Sequence, residues 1–164
     1  MCNTGINIFR VLVVHVSVLF FLTTTARGQN KNNQIGLTAI NTGFNLNNAS
    51  ALETQQVIAN AFQIVVSSKS SNNFRIFAHV SSSTSSTGTS LPASMLAVRL
   101  NSVSPTVTVS FNTVILSTSD QVLQNINTTS TPITFNYDLL AGPIGYSYAP
   151  GTYNLTMLFT MTQP

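Results

Sequence analysis

The chain has 164 residues, of which only 5% are charged, with six basic side chains against three acidic ones. After residue 28, four basic and three acidic side chains remain, which gives that part of the chain a net charge of +1. So few scattered charges cannot form the basic surface that follows nucleic-acid phosphates, and the same scarcity excludes electrostatic attachment to a membrane surface.

An export signal is predicted over residues 1–28. Arg10 supplies a positive flank, a mostly apolar run follows over residues 11–22, and the small residues Ala26 and Gly28 mark a cleavage site before Gln29. A second acceptable site at 24–26 leaves the start of the mature chain open by two residues. The apolar run is shorter than the roughly 20 residues of a membrane span. The sequence therefore predicts a protein of the periplasm, cell surface or extracellular space, with no integral membrane segment after removal of the signal.

The rest of the chain corresponds to one domain. The sole cysteine, Cys2, lies inside the predicted signal, so the mature chain forms no disulfide and no thiolate metal site. The Asn-rich residues 29–50 are predicted to be a flexible leader, within which residues 40–46 alternate as a short strand would. Residues 51–164 are predicted to form the folded domain. The 136 residues that follow the signal are about one domain, and a chain of that size buries about two-thirds of its unfolded surface.

Alternating apolar and polar residues predict strands along most of this domain. Residues 62–66 and 74–80 are predicted to form an antiparallel pair, and the residues just before them tolerate one or two helical turns. The hydroxyl-rich residues 81–90 are predicted to be a mobile surface loop. Further strands are predicted over residues 95–100, 105–116, 121–126, 131–140 and 151–161.

Seven or eight such strands, separated by turn signals and without amphipathic helices, predict an all-β fold. We expect an antiparallel β-sandwich that is immunoglobulin-like in the broad sense. The Cys and Trp landmarks of true immunoglobulin domains are missing, so the order of the strands stays open.

No group of residues predicts catalysis. His79 is the only histidine after the signal and is predicted to lie on the outward side of its strand, while Glu53, Asp120 and Asp138 lack the spacing of metal ligands. Asp138 is itself predicted to face outward. Serines occur without a G-x-S-x-G elbow, and the glycines of residues 142–151 precede no helix that could hold a phosphate. We therefore expect no enzyme activity, no catalytic residue, no metal and no cofactor.

Two other patterns concern sugars. Asn48, Asn127 and Asn154 stand in N-x-S/T sequons, which chance explains in a chain so rich in Asn and Thr. Tyr146 and Tyr148 lie near the last turn, where aromatic rings can stack on sugar faces. A secreted carbohydrate-binding β-sandwich module is therefore the alternative function.

The final strand resembles that of pilin subunits of the chaperone-usher class and of related secreted bacterial coat and surface-layer subunits. Gly151 is the fourteenth residue from the C-terminus, and apolar side chains follow it at alternate positions from Tyr153 to Met161. Gln163 stands where pilins carry an aromatic residue. The residues that carry this resemblance are Gly151, Tyr153, Leu155, Met157, Phe159 and Met161.

The resemblance implies an incomplete or easily augmented sandwich, completed by a strand that a neighbouring subunit's N-terminal extension donates. It implies that the final strand is the one a chaperone recognises, and residues 40–46 are then the donor candidate. On this basis we expect a non-catalytic structural or adhesive surface subunit, fimbrial-like or coat-like, which acts through strand pairing and exposed loops. Its expected partners are copies of itself, a chaperone or other subunits.

Overall fold

The computed structural model describes residues 12–20, 34–67, 73–127 and 132–162, and strands make up most of them. Helical structure in these ranges is limited to α1 (Ala49–Glu53) and a 3-10 turn at Ala93–Met95, and no helix there is long and apolar enough to cross a membrane. The strands are β1 (Leu12–Phe20), β2 (Gln34–Ala39), β3 (Gly43–Leu46), β4 (Gln56–Ser67), β5 (Asn73–Ser85), β6 (Leu96–Ser104), β7 (Thr113–Ile115), β8 (Gln121–Asn127), β9 (Ile133–Ala141) and β10 (Thr152–Thr162).

These strands form two five-stranded sheets. The first has the order β3-β1-β10-β5-β8 and the second the order β2-β4-β9-β6-β7. Every neighbouring pair is antiparallel except β1 and β10, which run parallel. The predicted all-β class is therefore confirmed.

One apolar core joins the two sheets. The ring centroids of Phe62 in β4 and Phe159 in β10 lie 5.1 Å apart, and Phe62 also stacks on Tyr137 of β9 at 5.2 Å. Because Phe62 and Phe159 belong to different sheets, their contact places the sheets face to face as a sandwich. Alternate apolar residues are buried in three strands, with the exception of Met161, which is half-buried at the end of β10. The buried ones are Phe74, Ile76, Ala78 and Val80 in β5, Ile133, Phe135, Tyr137 and Leu139 in β9, and Tyr153, Leu155, Met157 and Phe159 in β10.

The segment predicted as a leader contributes one strand to each sheet. β2 pairs with β4, and β3 pairs with β1. Phe44 and Leu46 of β3 are buried, whereas Ile40 is 62% exposed. Asn48 then caps α1, since its Oδ1 accepts a hydrogen bond from the Ala51 N–H at 2.8 Å. The chain from residue 34 onward is thus built into the sandwich.

The predicted pairing of residues 62–66 with 74–80 is wrong. β4 pairs with β2 and β9, while β5 pairs with β10 and β8 in the opposite sheet. Alternation identifies which face of a strand is buried. Any two strands of a sandwich each bury one face, whether or not they are neighbours, so alternation does not identify the partner. Residues 68–72, between β4 and β5 in sequence, lie outside the described ranges.

The predicted loop at 81–90 is shorter than expected because β5 continues to Ser85. The register pairs Ser85 with Tyr153 and Ser82 with Thr156, and it shifts between Thr156 and Met157. A hydrogen-bonded ladder uses backbone groups, so serine and threonine side chains do not prevent it.

The predicted strand at 105–116 is mostly wrong, since only Thr113–Ile115 pairs as a strand. The backbone of Ser110 is bonded instead by the side chain of Gln124: its N–H donates to Oε1 at 3.2 Å and its carbonyl accepts from Nε2 at 2.6 Å. Phe111 in this segment is 54% exposed. An amide side chain has therefore taken the place of a neighbouring strand.

Candidate functional site: the β3-β1-β10 strands

The final strand is the best-defined part of the candidate site. β10 is confirmed as a strand over Thr152–Thr162, and the side chains of Tyr153, Leu155 and Met157 are fully buried. Met161 is half-buried and packs against the edge of the core. The intervening Asn154 is exposed, as period-two alternation requires.

Gly151 stands where the chain passes close to the end of β5. A Cβ on this residue would lie 2.8 Å from Thr87 Cγ2 and 2.9 Å from Ser86 Oγ. Ser86 Oγ is also fixed in place, because it accepts a hydrogen bond from the Thr152 N–H at 3.1 Å. Close approach of the two segments, rather than the turn alone, accounts for the glycine.

β1 lies between β3 and β10 and holds them in one sheet. It pairs parallel to β10 from Val13 opposite Thr152 to Phe20 opposite Phe159. It pairs antiparallel to β3 from Leu12 opposite Leu46 to His15 opposite Gly43. Among the strands that the structure describes, β3 has no other partner.

The predicted export signal includes all of β1. The rest of residues 1–28, both cleavage sites and Gln29 lie outside the described residues. Without β1, the strands β3 and β10 would be two strand spacings apart, about 9.5 Å, which is the width left for one inserted strand. We call this position the β3–β10 slot. The buried faces of Phe44, Leu46, Leu155 and Met157 border it.

The donor candidate at residues 40–46 already belongs to its own sandwich. Phe44 is 4% exposed and Leu46 is 1% exposed, so both fill the core of the chain that carries them. Donating this segment to a neighbour would require it to leave that core. The β3–β10 slot, by contrast, is filled by a segment that cleavage is predicted to remove.

Several of the described ionisable side chains have polar partners. His79 Nδ1 lies 2.7 Å from Asp120 Oδ1 near the surface. Among the described residues, no three His, Cys, Asp or Glu side chains come together as metal ligands would. Glu53 instead accepts a hydrogen bond from the Tyr146 hydroxyl at 2.7 Å.

Asp138 was predicted to face outward, but its side chain is only 2% exposed. Its Oδ2 accepts from Arg99 Nη2 at 2.7 Å, and its Oδ1 accepts from the Asn60 N–H at 3.0 Å and from Asn101 Nδ2 at 2.8 Å. Burial alone would raise the pKa of Asp138, but the hydrogen bonds from Arg99, Asn60 and Asn101 outweigh it and hold that pKa below its ordinary value. These hydrogen bonds connect β4, β6 and β9.

The two tyrosines of the sugar-binding alternative differ in their surroundings. Tyr146 is 64% exposed, and its hydrogen bond to the Glu53 carboxylate raises its pKa. Tyr148 is half-buried and meets Tyr153 edge to face, with ring centroids 6.4 Å apart. Tyr146 alone offers an open ring face. The three sequon asparagines, Asn48, Asn127 and Asn154, are all exposed.

The sequence alone does not reveal that β1 is a strand of the sheet, nor which residues bond to Asp138. β1 has the sequence LVVHVSVLF, and its four valines favour a strand. The same residues also fit the apolar run of an export signal, which is the interpretation given to them from the sequence. Asn60 adopts a left-handed backbone with φ of 51°, which Asn tolerates better than most residues, at the point where the register of β4 shifts. No sequence pattern links Asn60 to Asp138.

Comparisons with protein-family models and with curated proteins give no match to this chain. Function is therefore inferred from the residues and their geometry.

Proposed function

We propose that the protein is a secreted, non-catalytic structural or adhesive surface subunit, fimbrial-like or coat-like, with an immunoglobulin-like sandwich. The position of β1 is the observation that carries this proposal. A strand inside the predicted export signal is the one that joins β3 to β10. An exported chain that has lost it presents an unfilled sheet position and is suited to strand pairing with another polypeptide.

The apolar surface beside this position makes pairing favourable. Tyr153, Leu155, Met157 and Phe159 each have at most 1% of their surface exposed while β1 is present. Loss of the neighbouring strand would uncover backbone groups of β10 and part of this apolar face. Burial of apolar surface contributes about 25 cal/mol per Å². A partner strand would restore both the hydrogen bonds and the burial.

The proposal is tested on the protein as its own cell exports it. An antibody is used to recover the chain from the surface and extracellular fractions, and its native mass and shape are measured by sedimentation and negative-stain microscopy. We expect complexes that contain more than one polypeptide chain, with an N-terminus beyond residue 20. Recovery only as a monomer over a wide concentration range would contradict the assigned role.

A carbohydrate-binding module is the second candidate, favoured by the exposed ring of Tyr146. A glycan array compares the wild-type chain with Tyr146→Ala, and Tyr148→Ala serves as the matched variant because that ring is half-buried against Tyr153. Loss of binding in Tyr146→Ala would support the module. Undiminished binding in both variants would remove these tyrosines from any sugar site.

A further inference from the structure

We propose that the start of β5 and the end of β8 form a binding site for a carboxylated sugar, one unit of the hexuronate kind. The two strands enclose a pocket of about 230 Å³, lined by Asn73, Phe74, Arg75, Asn125, Ile126 and Asn127. We call it the Arg75 pocket, and it is defined by these six described residues alone. The inference goes beyond the proposed function, since it concerns a small ligand, needs no second polypeptide and does not involve the Tyr146 ring.

The register of β5 and β8 places four polar side chains next to one another. Arg75 lies opposite Asn125, and Asn73 lies opposite Asn127. Residues directly opposite in antiparallel strands share one face of the sheet, with Cβ atoms about 4.5–5.5 Å apart. All four side chains are exposed, whereas the residue between them on each strand is buried in the core. The outward face therefore presents one guanidinium among three amides.

The positive charge of Arg75 has no acidic side chain left to pair with it. The chain contains three acidic residues in all, Glu53, Asp120 and Asp138, and each lies among the described residues. They contact, respectively, the hydroxyl of a tyrosine, the ring of a histidine and a second arginine. A guanidinium binds a carboxylate through two parallel N–H donors, and such charge-assisted bonds are stronger than neutral ones. Arg75 is therefore suited to a carboxylate supplied by a ligand.

The three amides favour a sugar as the carrier of that carboxylate. Each asparagine offers an N–H donor and a carbonyl acceptor, and a hydroxyl group likewise donates and accepts. A sugar ring carries several hydroxyls on adjacent carbons, whereas an acidic peptide residue carries one carboxylate and the amides of its backbone. The pocket is smaller than the roughly 300–1,000 Å³ of sites for drug-sized ligands, which suits a single sugar unit.

The first experiment compares four probes on the full, isotope-labelled chain by NMR titration. The probes are methyl glucuronoside, methyl glucoside, acetate and acetyl-glutamate amide. We expect methyl glucuronoside to bind at least about tenfold more tightly than each of the others, because it alone engages both the guanidinium and the amides. The largest changes in backbone resonances should occur at Asn73, Arg75 and Asn125.

Each other result contradicts the proposal in a distinct way. Equal binding of methyl glucoside would overturn the role of Arg75 as the carboxylate partner. Equal binding of acetate would reduce the pocket to a site for simple anions and overturn the recognition of a sugar. Equal binding of acetyl-glutamate amide would assign the pocket to acidic peptides, and resonance changes elsewhere in the chain would place the ligand outside it.

Variants test the two parts of the pocket separately. Arg75→Gln should weaken methyl glucuronoside binding at least about tenfold, and Arg75→Lys should fall between it and the wild type, because lysine keeps the charge but lacks the fork of donors. Asn125→Ala should weaken binding at least about threefold. Asn45→Ala is the matched control, since Asn45 is exposed on β3 of the same sheet, and it should bind as the wild type does. Undiminished binding by Arg75→Gln or by Asn125→Ala would overturn the site.

The outcomes are independent of the surface-subunit role. Sugar binding by a chain that is recovered from the cell only as a monomer would support the Arg75 pocket and contradict that role. Assembled surface complexes whose chains fail to bind methyl glucuronoside would support the role and overturn the pocket.

Discussion

Asp138 shows how one residue can hold several strands in register. Its carboxylate is buried on β9 and accepts hydrogen bonds from Arg99 of β6 and from the backbone of Asn60 in β4. Asn60 lies where β4 shifts its register against β9, so the carboxylate satisfies an N–H that the irregular ladder leaves free. The guanidinium of Arg99 is 44% exposed and keeps its contact with water.

Removing the guanidinium should destabilise the fold markedly. Arg99→Gln leaves Asp138 buried with neutral donors only, and breaking a buried pair typically costs 3–5 kcal/mol; we expect about 3 kcal/mol because Arg99 is partly solvated. Arg75→Gln is the matched control, since Arg75 is exposed on β5 and forms no salt bridge with a described residue. Its change should stay within about 0.5 kcal/mol. Urea unfolding measures both, and equal stabilities would contradict the role of the pair.

The same carboxylate predicts a pH dependence with a definite sign. The pKa of Asp138 in the folded chain lies below its ordinary value, so its stabilisation is complete above that value, about 3.9. The stabilisation is lost as the pH falls through the lower folded pKa. We expect the free energy of unfolding of the wild type to approach that of Asp138→Asn between about pH 5 and pH 2. Urea unfolding at each pH measures the difference in stability between the two proteins. A difference that stays constant over this range would contradict the assignment.

At the level of elements, β10 is buried on one face and shared by two neighbouring strands. Phe159→Ala should cost about 3–5 kcal/mol, because it removes a ring that contacts Phe62 of the opposite sheet and leaves a cavity. Leu158→Ala on the other face is the matched control, since Leu158 is only half-buried, and should cost at most about 1.5 kcal/mol. Thermal and urea unfolding compare the two. Similar losses would contradict the burial of the Phe159 face of β10.

The regular strands could be predicted from sequence because their apolar period is uninterrupted. In β9 and β10, burial of alternate residues and backbone pairing favour the same conformation, so the pattern from Ile133 to Leu139 identifies both the strand and its inner face. β5 was predicted only as far as Val80. Beyond it the ladder continues through serine and threonine, whose side chains carry no periodic apolar signal.

Strand partners and side-chain networks could not be predicted, since they depend on contacts distant in sequence. Asn60 and Asp138 are 78 positions apart, and Gln124 replaces a neighbouring strand at Ser110 through its amide alone. Only half of the candidate site is predictable from the sequence. The alternation identifies β10 as a strand, whereas the residues of β1 indicate an export signal and give no sign of a position in the sheet. A single apolar run can satisfy both descriptions, because export and strand formation each require apolar residues.

At the scale of the whole molecule, the shortage of charge limits how the protein can associate. After residue 28 only seven side chains are basic or acidic, and two of them, the exposed Arg99 and the buried Asp138, pair with each other. So few charges leave little scope for complementary electrostatic attraction between subunits. Backbone pairing and apolar burial remain as the available contributions.

This leads to a prediction about solution conditions for the complexes that the proposed surface role would form. Raising NaCl from about 0.05 M to about 0.5 M shortens the Debye length several-fold, and we expect the fraction of assembled chain to change by less than about threefold. Moderate urea should dissociate the complexes, because it solvates apolar and peptide groups, and ammonium sulfate should stabilise them. Sedimentation velocity at matched protein concentration measures all three effects. A tenfold loss of assembly in NaCl would assign association to charged contacts, contrary to a strand held in the sheet next to Leu155 and Met157.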